Sequence, residues 1–167
     1  MLPKIISDVL SSDSRYKYLL VCAKTPLPGL QNVQNQFIEL RKKFPERFVW
    51  YDSPMMPSEI SKLYKQASIY VQPSFYETFG LCILEGMASG HAVVATNVGG
   101  IPEVVGDTGF LVEPDSRQIS KKVLELLKSQ KLRKHLGQKS LERAKAFDWS
   151  VIASKTINLY NEVLGKK

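Results

Sequence analysis

Two glutamates flank a glycine turn in the middle of the sequence. Glu77 lies in the loop Pro73–Gly80, and Glu85 lies eight residues further on, inside the helical segment that Gly80 is expected to open. Free backbone N–H groups at a helix N-terminus bind a phosphate or a sugar oxygen, and glycine lets a ligand approach the backbone closely. The pattern therefore predicts an anion site in this loop.

Glu85 lies too far into the helix to be explained as an acid that stabilises the helix N-terminus. Its neighbours are mostly apolar, which predicts a helix buried on most sides, and a buried carboxylate needs a partner. The vicinal hydroxyls of a ribose are one such partner, because a carboxylate accepts two hydrogen bonds from a diol. On the pattern alone, the commoner case is a partly solvated glutamate or one paired with a nearby lysine.

Strand patterns alternate with helical patterns along most of the chain. This alternation implies parallel β-α-β crossovers and an open, doubly wound α/β sheet. In such sheets ligands bind beyond the carboxyl ends of the strands, where Pro73–Gly80 lies. The predicted strands are Tyr18–Ala23, Phe48–Tyr51, Ile69–Gln72, Ala92–Thr96 and Gly109–Val112.

The remaining segments are predicted as one loop and a helical C-terminal part. Thr25–Leu30 is a loop by composition, and after Pro114 the pattern is wholly helical. One helix begins near Asp115, a second and basic one covers roughly Leu132–Phe147, and a third follows it. The apolar stripe of the last helix contains Ile152, Thr156, Leu159, Tyr160 and Val163.

Length and composition predict one cytoplasmic domain. The 167 residues suit a single core, and Cys22 and Cys82, both in apolar runs, are interpreted as buried free thiols. No apolar run approaches the ~18 residues of a membrane span, and the N-terminus lacks the pattern of a secretory leader.

The positive charge is concentrated in one segment. Lysine and arginine exceed aspartate and glutamate by 23 to 16, and Lys121–Lys145 holds nine basic residues against two acidic ones. A solvated helical face is the first interpretation, and peripheral contact with an anionic membrane surface is the second, since each cation contributes about 1 kcal/mol there. Nucleic acid is not expected, because no RNA- or DNA-binding module appears.

The run from Glu77 to Glu85 resembles the E-x7-E signature of retaining glycosyltransferases of family 4. The resemblance covers nearly the whole chain and implies the C-terminal half of a GT-B enzyme, in which two Rossmann-like domains face each other across a cleft. The domain, residues 1–167, would bind a nucleotide-diphosphate sugar. The other segments that carry the resemblance are Gly86–Gly90, Val94–Thr96, Gly99–Glu103 and Gly109–Val112.

The resemblance implies a role for each matched residue. Glu77 would be the catalytic residue and hydrogen-bond the hydroxyls of the donor sugar, whereas Glu85 would bind the ribose of the nucleotide. Gly99 and Gly100 would leave room for the ligand, although a tight turn explains these two glycines equally well. The other substrate-binding positions are Thr78, Phe79, Gly80 and Leu81, the last three through backbone N–H groups that approach the sugar and the diphosphate.

The implied reaction is transfer of a hexosyl group with retention of configuration. Charge develops on the leaving diphosphate as an oxocarbenium-like sugar forms, so cations and dipoles must stabilise the leaving group. No metal or other cofactor is expected. His91 and His135 lie in different predicted elements and form no ligand cluster with the cysteines.

The chain also departs from the family pattern. Members normally open this domain with a strand and a loop whose Arg and Lys clamp the diphosphate, and here the sequence begins at Met1 within the helix that should follow them. The acceptor-binding N-terminal domain is also missing, and Lys24 is the nearest replacement cation. We therefore expect no turnover by the chain alone, and an open sheet edge that the missing part or a second chain covers.

Two other functions are compatible with this fold. The first is a non-catalytic nucleotide-sugar-binding or scaffold subunit of a glycosyltransferase complex. The second is an epimerase or phosphorylase on the same GT-B plan, against which the intact E-x7-E run argues.

Overall fold

The protein is described here by a computed structural model that covers residues 1–24 and 29–165. Strands and helices alternate as the sequence predicts, although the predicted loop Thr25–Leu30 lies largely outside the described residues. The strands are β1 (Tyr18–Val21), β2 (Phe48–Tyr51), β3 (Ile69–Gln72), β4 (Ala92–Thr96) and β5 (Phe110–Val112). The helices are α1 (Leu2–Ser12), α2 (Gln31–Lys43), α3 (Pro57–Tyr64), α4 (Leu81–Ala88), α5 (Ile101–Val105), α6 (Ser116–Lys128), α7 (Gln130–Ala144) and α8 (Trp149–Val163), with a 3₁₀ turn at Lys145–Phe147 between the last two.

All strand pairs are parallel, which confirms the predicted doubly wound α/β class. β1 pairs with β2, with Tyr18 opposite Phe48, and β4 lies between β3 and β5, with Ile69 opposite Ala92 and Val94 opposite Phe110. Within the described residues, no backbone ladder joins β1 to β3. Every residue of β3 is therefore partly exposed, whereas every residue of β4 is buried.

Helices cover both faces of β4. Ala92 and Val94 pack with α1 and α6, and Val93 and Ala95 pack with α4 and α5. α1 also joins the two groups of strands, because Ile5 and Val9 contact the core around β4 while Ile6 and Leu10 contact the core of β1 and β2. Because β3, β4 and β5 are parallel, their carboxyl ends lie on one edge of their sheet.

The apolar stripe of the last helix does not pack on the core. None of the residues of α8 is buried, and Leu159, Tyr160 and Val163 are 56%, 62% and 78% exposed. Asp148 caps the helix by accepting a hydrogen bond from the backbone N–H of Ser150 at 2.9 Å. The helix is thus a regular amphipathic one whose apolar face is open to solvent.

Both cysteines are exposed, so the prediction of buried thiols is wrong. Cys22 follows the last paired residue of β1, and Cys82 lies on the outward face of α4. Both cysteines have apolar neighbours in the sequence, but the segments that carry them pack on one side only. The cysteines lie on the side that faces solvent.

Much of the positive charge in the segment from α6 to the 3₁₀ turn is used within the fold. Arg133 donates to the carbonyl oxygens of Leu126 and Leu127 at the end of α6, and Arg143 donates to the carbonyl oxygens of Val104 and Glu103 at the end of α5. Three lysines form ion pairs, so contact with a membrane surface stays a prediction for the remaining cations. Those pairs are Lys122 with Glu125, Lys139 with Asp107, and Lys145 with Glu142.

The described residues contain neither a candidate membrane-spanning helix nor a candidate metal-binding cluster. None of the helices is both long and apolar enough to cross a membrane, and no group of three or more His, Cys, Asp or Glu side chains is placed to hold a metal ion.

Candidate functional site

The loop after β3 and the turn after β4 are bound to each other at the carboxyl edge of the sheet. The Gly100 N–H donates to the carbonyl oxygen of Glu77 at 3.0 Å. The buried hydroxyl of Thr96, the last residue of β4, donates to the carbonyl oxygen of Ser74 at 2.7 Å. These two bonds fix both ends of the loop that carries Glu77.

Gly99 and Gly100, in the turn after β4, have a role beyond the two that the sequence suggested, which were room for the ligand and a tight turn. A Cβ atom on Gly99 would lie 1.9 Å from the carbonyl oxygen of Glu77, and one on Gly100 would lie 2.1 Å from that of Thr78. Real Cβ atoms do not come that close to backbone oxygen. The glycine pair therefore lets the backbone of the Glu77 loop lie directly on the turn.

Polar side chains of β3 form hydrogen bonds that reach the start of the same loop. The Tyr70 hydroxyl donates to Oε1 of Gln72 at 2.8 Å, and Nε2 of Gln72 donates to Oγ of Ser74 at 2.8 Å. The sequence analysis did not single out Tyr70, Gln72 or Thr96. Each of these three residues is polar or carries a hydroxyl group in an otherwise apolar strand, at or near the carboxyl end of that strand. This contrast is the sequence feature that could have identified them.

Gly80 opens α4 as predicted. Its φ of +92° is in the left-handed region, which glycine adopts without steric cost. Its carbonyl oxygen accepts from the N–H groups of Ile83 and Leu84, whereas within the described part of the chain the N–H groups of Phe79, Gly80 and Leu81 donate to nothing. These three donors lie at the positive end of the helix, where Leu81 is exposed, Phe79 is half-buried and Gly80 is buried.

Glu85 is exposed, so the predicted helix buried on most sides is wrong. α4 buries Ile83, Gly86 and Met87, and its other face places Cys82 and Glu85 in solvent. The carboxylate forms no ion pair with a lysine in the described structure. Instead, Oε2 of Glu85 accepts a hydrogen bond of 2.9 Å from the hydroxyl of Tyr64, at the end of α3.

Titratable side chains around Glu85, among them Tyr64 and Cys82, have pKa values shifted toward their neutral forms. Burial, followed by the hydrogen bond to Glu85 and the charge of Glu85, raises the pKa of Tyr64. Burial, followed by the charges of Glu85 and Glu77, raises the pKa of the Cys82 thiol. Glu77 and Glu85 therefore act electrostatically on the same small region around the start of α4.

Lys24, the predicted replacement cation, is paired within the fold. Its Nζ lies 2.9 Å from Oδ2 of Asp52 and 5.1 Å from the centre of the Trp50 ring. The hydrogen bond from Lys24 is the main cause of the lowered pKa of Asp52, and Arg41 approaches the same ring from 5.3 Å. The charge of Lys24 is already compensated, so it serves first as a structural cation.

The aromatic residues of the loop divide into anchored and exposed ones. The Phe79 ring meets that of Phe147 at 5.9 Å in an edge-on contact. Phe75 and Tyr76 are 72% and 77% exposed. The loop therefore presents two large rings to solvent, while Phe79 joins it to the 3₁₀ turn.

Comparison with known proteins identifies the family. Residues 30–143 match the model of the family described as glycosyl transferases group 1. The chain is 40% identical over 116 residues to O-antigen chain mannosyltransferase B of Escherichia coli, a match that covers 69% of this chain and 30% of that protein. It spans 25–40% of the length of the curated relatives it matches.

Solved structures agree with this assignment. The C-terminal domain of the glycosyl transferase group 1 family protein LpcC from Francisella tularensis superposes with a TM-score of 0.76 at 27% identity, over 87% of this chain and 77% of that one. The Anabaena protein HepE, solved in complex with UDP, has the same fold, with a TM-score of 0.79 at 20% identity over 95% of this chain and 44% of that one. The chain therefore belongs to the glycosyl transferases group 1 family and has the fold of a GT-B C-terminal domain.

Proposed function

We propose that this domain binds the nucleotide-diphosphate sugar donor of a retaining glycosyltransferase of family 4 type. The observation that carries the proposal is the loop from Glu77 to Glu85, which places two carboxylates on either side of three free N–H groups at a helix N-terminus. Acidic groups suit sugar hydroxyls and amide hydrogens suit phosphate oxygens, so the arrangement matches both halves of such a donor. The UDP complex of the HepE structure supports this choice of ligand.

Each residue of the site has a proposed part in the reaction. Glu77 accepts hydrogen bonds from the hydroxyls of the transferred sugar and orients it, while Glu85 holds the ribose. The N–H groups of Phe79, Gly80 and Leu81 stabilise charge on the diphosphate as the bond to the sugar breaks. In this proposal the N–H groups take the electrostatic role that a metal ion has in other donor sites.

The complete enzyme needs groups from outside the domain. The chain spans less than half of each curated relative that it matches, and the only cation predicted near the diphosphate, Lys24, is paired with Asp52. The unpaired side of β3 and the apolar face of α8 are two surfaces that further protein can cover. We propose that an acceptor-binding domain, on the same or a second chain, completes the cleft there.

The first test combines binding with turnover. Calorimetry with UDP, GDP and ADP and their hexosyl derivatives is expected to show one preferred donor for the isolated domain. Transfer to acceptor is expected only after an acceptor-binding domain is supplied, with the anomeric configuration of the donor retained in the product by NMR. Inversion in the product would contradict the mechanism, and the absence of binding to any donor would contradict the proposed site.

A non-catalytic nucleotide-sugar-binding or scaffold subunit remains the alternative. It shares the binding prediction and differs in the second step, since it predicts no transfer with any acceptor-binding partner. The assay with the partner therefore separates the two functions, whereas calorimetry alone does not.

A further inference from the structure

Tyr64 reaches the proposed ribose site from a separate helix. Its hydroxyl donates to Oε2 of Glu85 at 2.9 Å and lies 3.3 Å from the carbonyl oxygen of Cys82. A phenol has one proton, and the shorter bond to the charged acceptor is the stronger of the two. α3 and α4 are thus joined at the carboxylate that the proposed function assigns to the nucleotide.

The position of the Tyr64 ring is set by the residues around it. The Tyr70 ring lies 6.2 Å away and the His91 ring 5.7 Å away. His91 is 2% exposed and its Nε2 lies 2.8 Å from the carbonyl oxygen of Tyr64. Tyr70 packs in turn on Gly86, where a Cβ would lie 2.7 Å from the ring. The hydroxyl is therefore placed by packed groups and not by a loop.

The hydrogen bond leaves the carboxylate able to bind a ligand. Glu85 offers about four acceptor positions on two oxygens, and Tyr64 uses one of them on Oε2. Because burial and the charge of Glu85 both raise the pKa of Tyr64, the phenol remains a donor throughout the physiological range. Oε1 and the second position of Oε2 stay available for two hydroxyl groups.

An exposed glutamate without such a bond samples several rotamers. Binding a ligand then restricts the side chain to one rotamer, and the lost conformational entropy lowers the affinity. We propose that Tyr64 is a positioning residue that holds Glu85 in the orientation that accepts the ribose diol. This inference rests on the proposed function, since it takes the ribose as the group that Glu85 binds. Tyr64 itself does not touch the donor in this scheme.

The test compares ribonucleotides with their 2′,3′-dideoxy forms, because only the former carry the diol. The affinity ratio between UDP and 2′,3′-dideoxy-UDP, or the GDP pair if GDP binds better, is measured by calorimetry for the wild-type domain and for Tyr64→Phe. We expect Tyr64→Phe to lower this ratio about 3- to 10-fold, the cost of ordering one side chain that the hydrogen bond no longer holds. The affinity for the dideoxy nucleotide should not change.

Tyr70→Phe is the matched control, because it removes a hydroxyl of the neighbouring ring that bonds Gln72 and not Glu85. Loss of the Tyr70–Gln72 bond acts on the Glu77 loop and so affects both nucleotides alike, which should leave the ratio unchanged. The double variant Tyr64→Phe/Glu85→Gln should lose no more of the ratio than Glu85→Gln alone, since Tyr64 acts through that carboxylate.

The outcomes separate the inference from the function on which it rests. A wild-type ratio near one, unchanged by Glu85→Gln, would overturn the assignment of Glu85 to the ribose. A ratio that Glu85→Gln removes and Tyr64→Phe preserves would overturn the role of Tyr64 alone. Equal losses in Tyr64→Phe and Tyr70→Phe would also overturn it, because they would indicate general loosening of the ring cluster.

Discussion

Alanine at Gly100 is expected to weaken binding of the nucleotide-diphosphate sugar by about 100-fold. Gly100 has an ordinary φ of −82°, so alanine causes no backbone strain there. Its Cβ would, however, lie 2.1 Å from the carbonyl oxygen of Thr78, and the Glu77 loop must move by about 1 Å to relieve the contact. A misplacement of about 1 Å can cost about 100-fold in catalysis, and we expect a loss of the same order in donor binding because the same groups hold the donor.

The same substitution should destabilise the fold by about 1–3 kcal/mol, the usual cost of inserting a methyl group into a packed site. Donor affinity by calorimetry and stability by urea denaturation are the two measurements. Gly90→Ala is the control, because Gly90 has a φ of +77° but nothing within 4 Å of its ideal Cβ. It should cost about 1–2 kcal/mol of stability through backbone strain and leave donor affinity unchanged. Wild-type affinity in Gly100→Ala would show that the turn does not position the loop.

The sequence was sufficient to place the loop from Glu77 to Glu85 at the carboxyl edge of the sheet but not to describe its surroundings. Gly80 and Glu77 follow β3 directly, and parallel topology alone places such a loop at the ligand-binding edge. The role of Gly99 and Gly100 depends on contact with residues more than twenty positions earlier in the chain. No local pattern contains that information.

At Glu85, the apolar composition of the helix led to a wrong prediction of burial, whereas the spacing of the residues indicated an exposed face. The residues around it are mostly apolar, yet Ile83, Gly86 and Met87 form one buried face and Cys82 and Glu85 lie on the other. Positions three and four apart share a face of a helix, so the exposed face was present in the sequence. The sequence analysis did not single out Tyr64, and only the structure shows its hydroxyl at Glu85.

The strands were predicted to within two residues because each is a short apolar run between turns. The packing of α8 could not be predicted in this way. An amphipathic pattern shows that a helix has an apolar face, but it does not show whether that face meets the same chain. Since no residue of α8 is buried, its partner must come from elsewhere if that face is covered.

Glu77→Gln and Glu85→Gln are expected to separate the two halves of the donor. Glu85→Gln should weaken the free nucleoside diphosphate and the nucleotide-sugar equally, because both contain the ribose. Glu77→Gln should weaken only the nucleotide-sugar, because the proposed function assigns its carboxylate to the transferred sugar. Each loss should be about 10- to 100-fold, since a hydrogen bond to a charged group contributes about 1.5–3 kcal/mol.

Calorimetry with the preferred nucleotide and its hexosyl derivative gives the four affinities that decide this. Glu103→Gln is the matched control, since Glu103 is an exposed glutamate that opens a neighbouring helix on the same edge and its carbonyl oxygen, not its carboxylate, is bonded to Arg143. It should change neither affinity. The glutamine side chains keep the shape of the site, so a loss confined to one ligand identifies the group that the missing charge contacted. If both site variants weakened the free nucleotide to the same extent, Glu77 would belong to the nucleotide half of the site, and the catalytic role proposed for it would pass to a residue outside this loop.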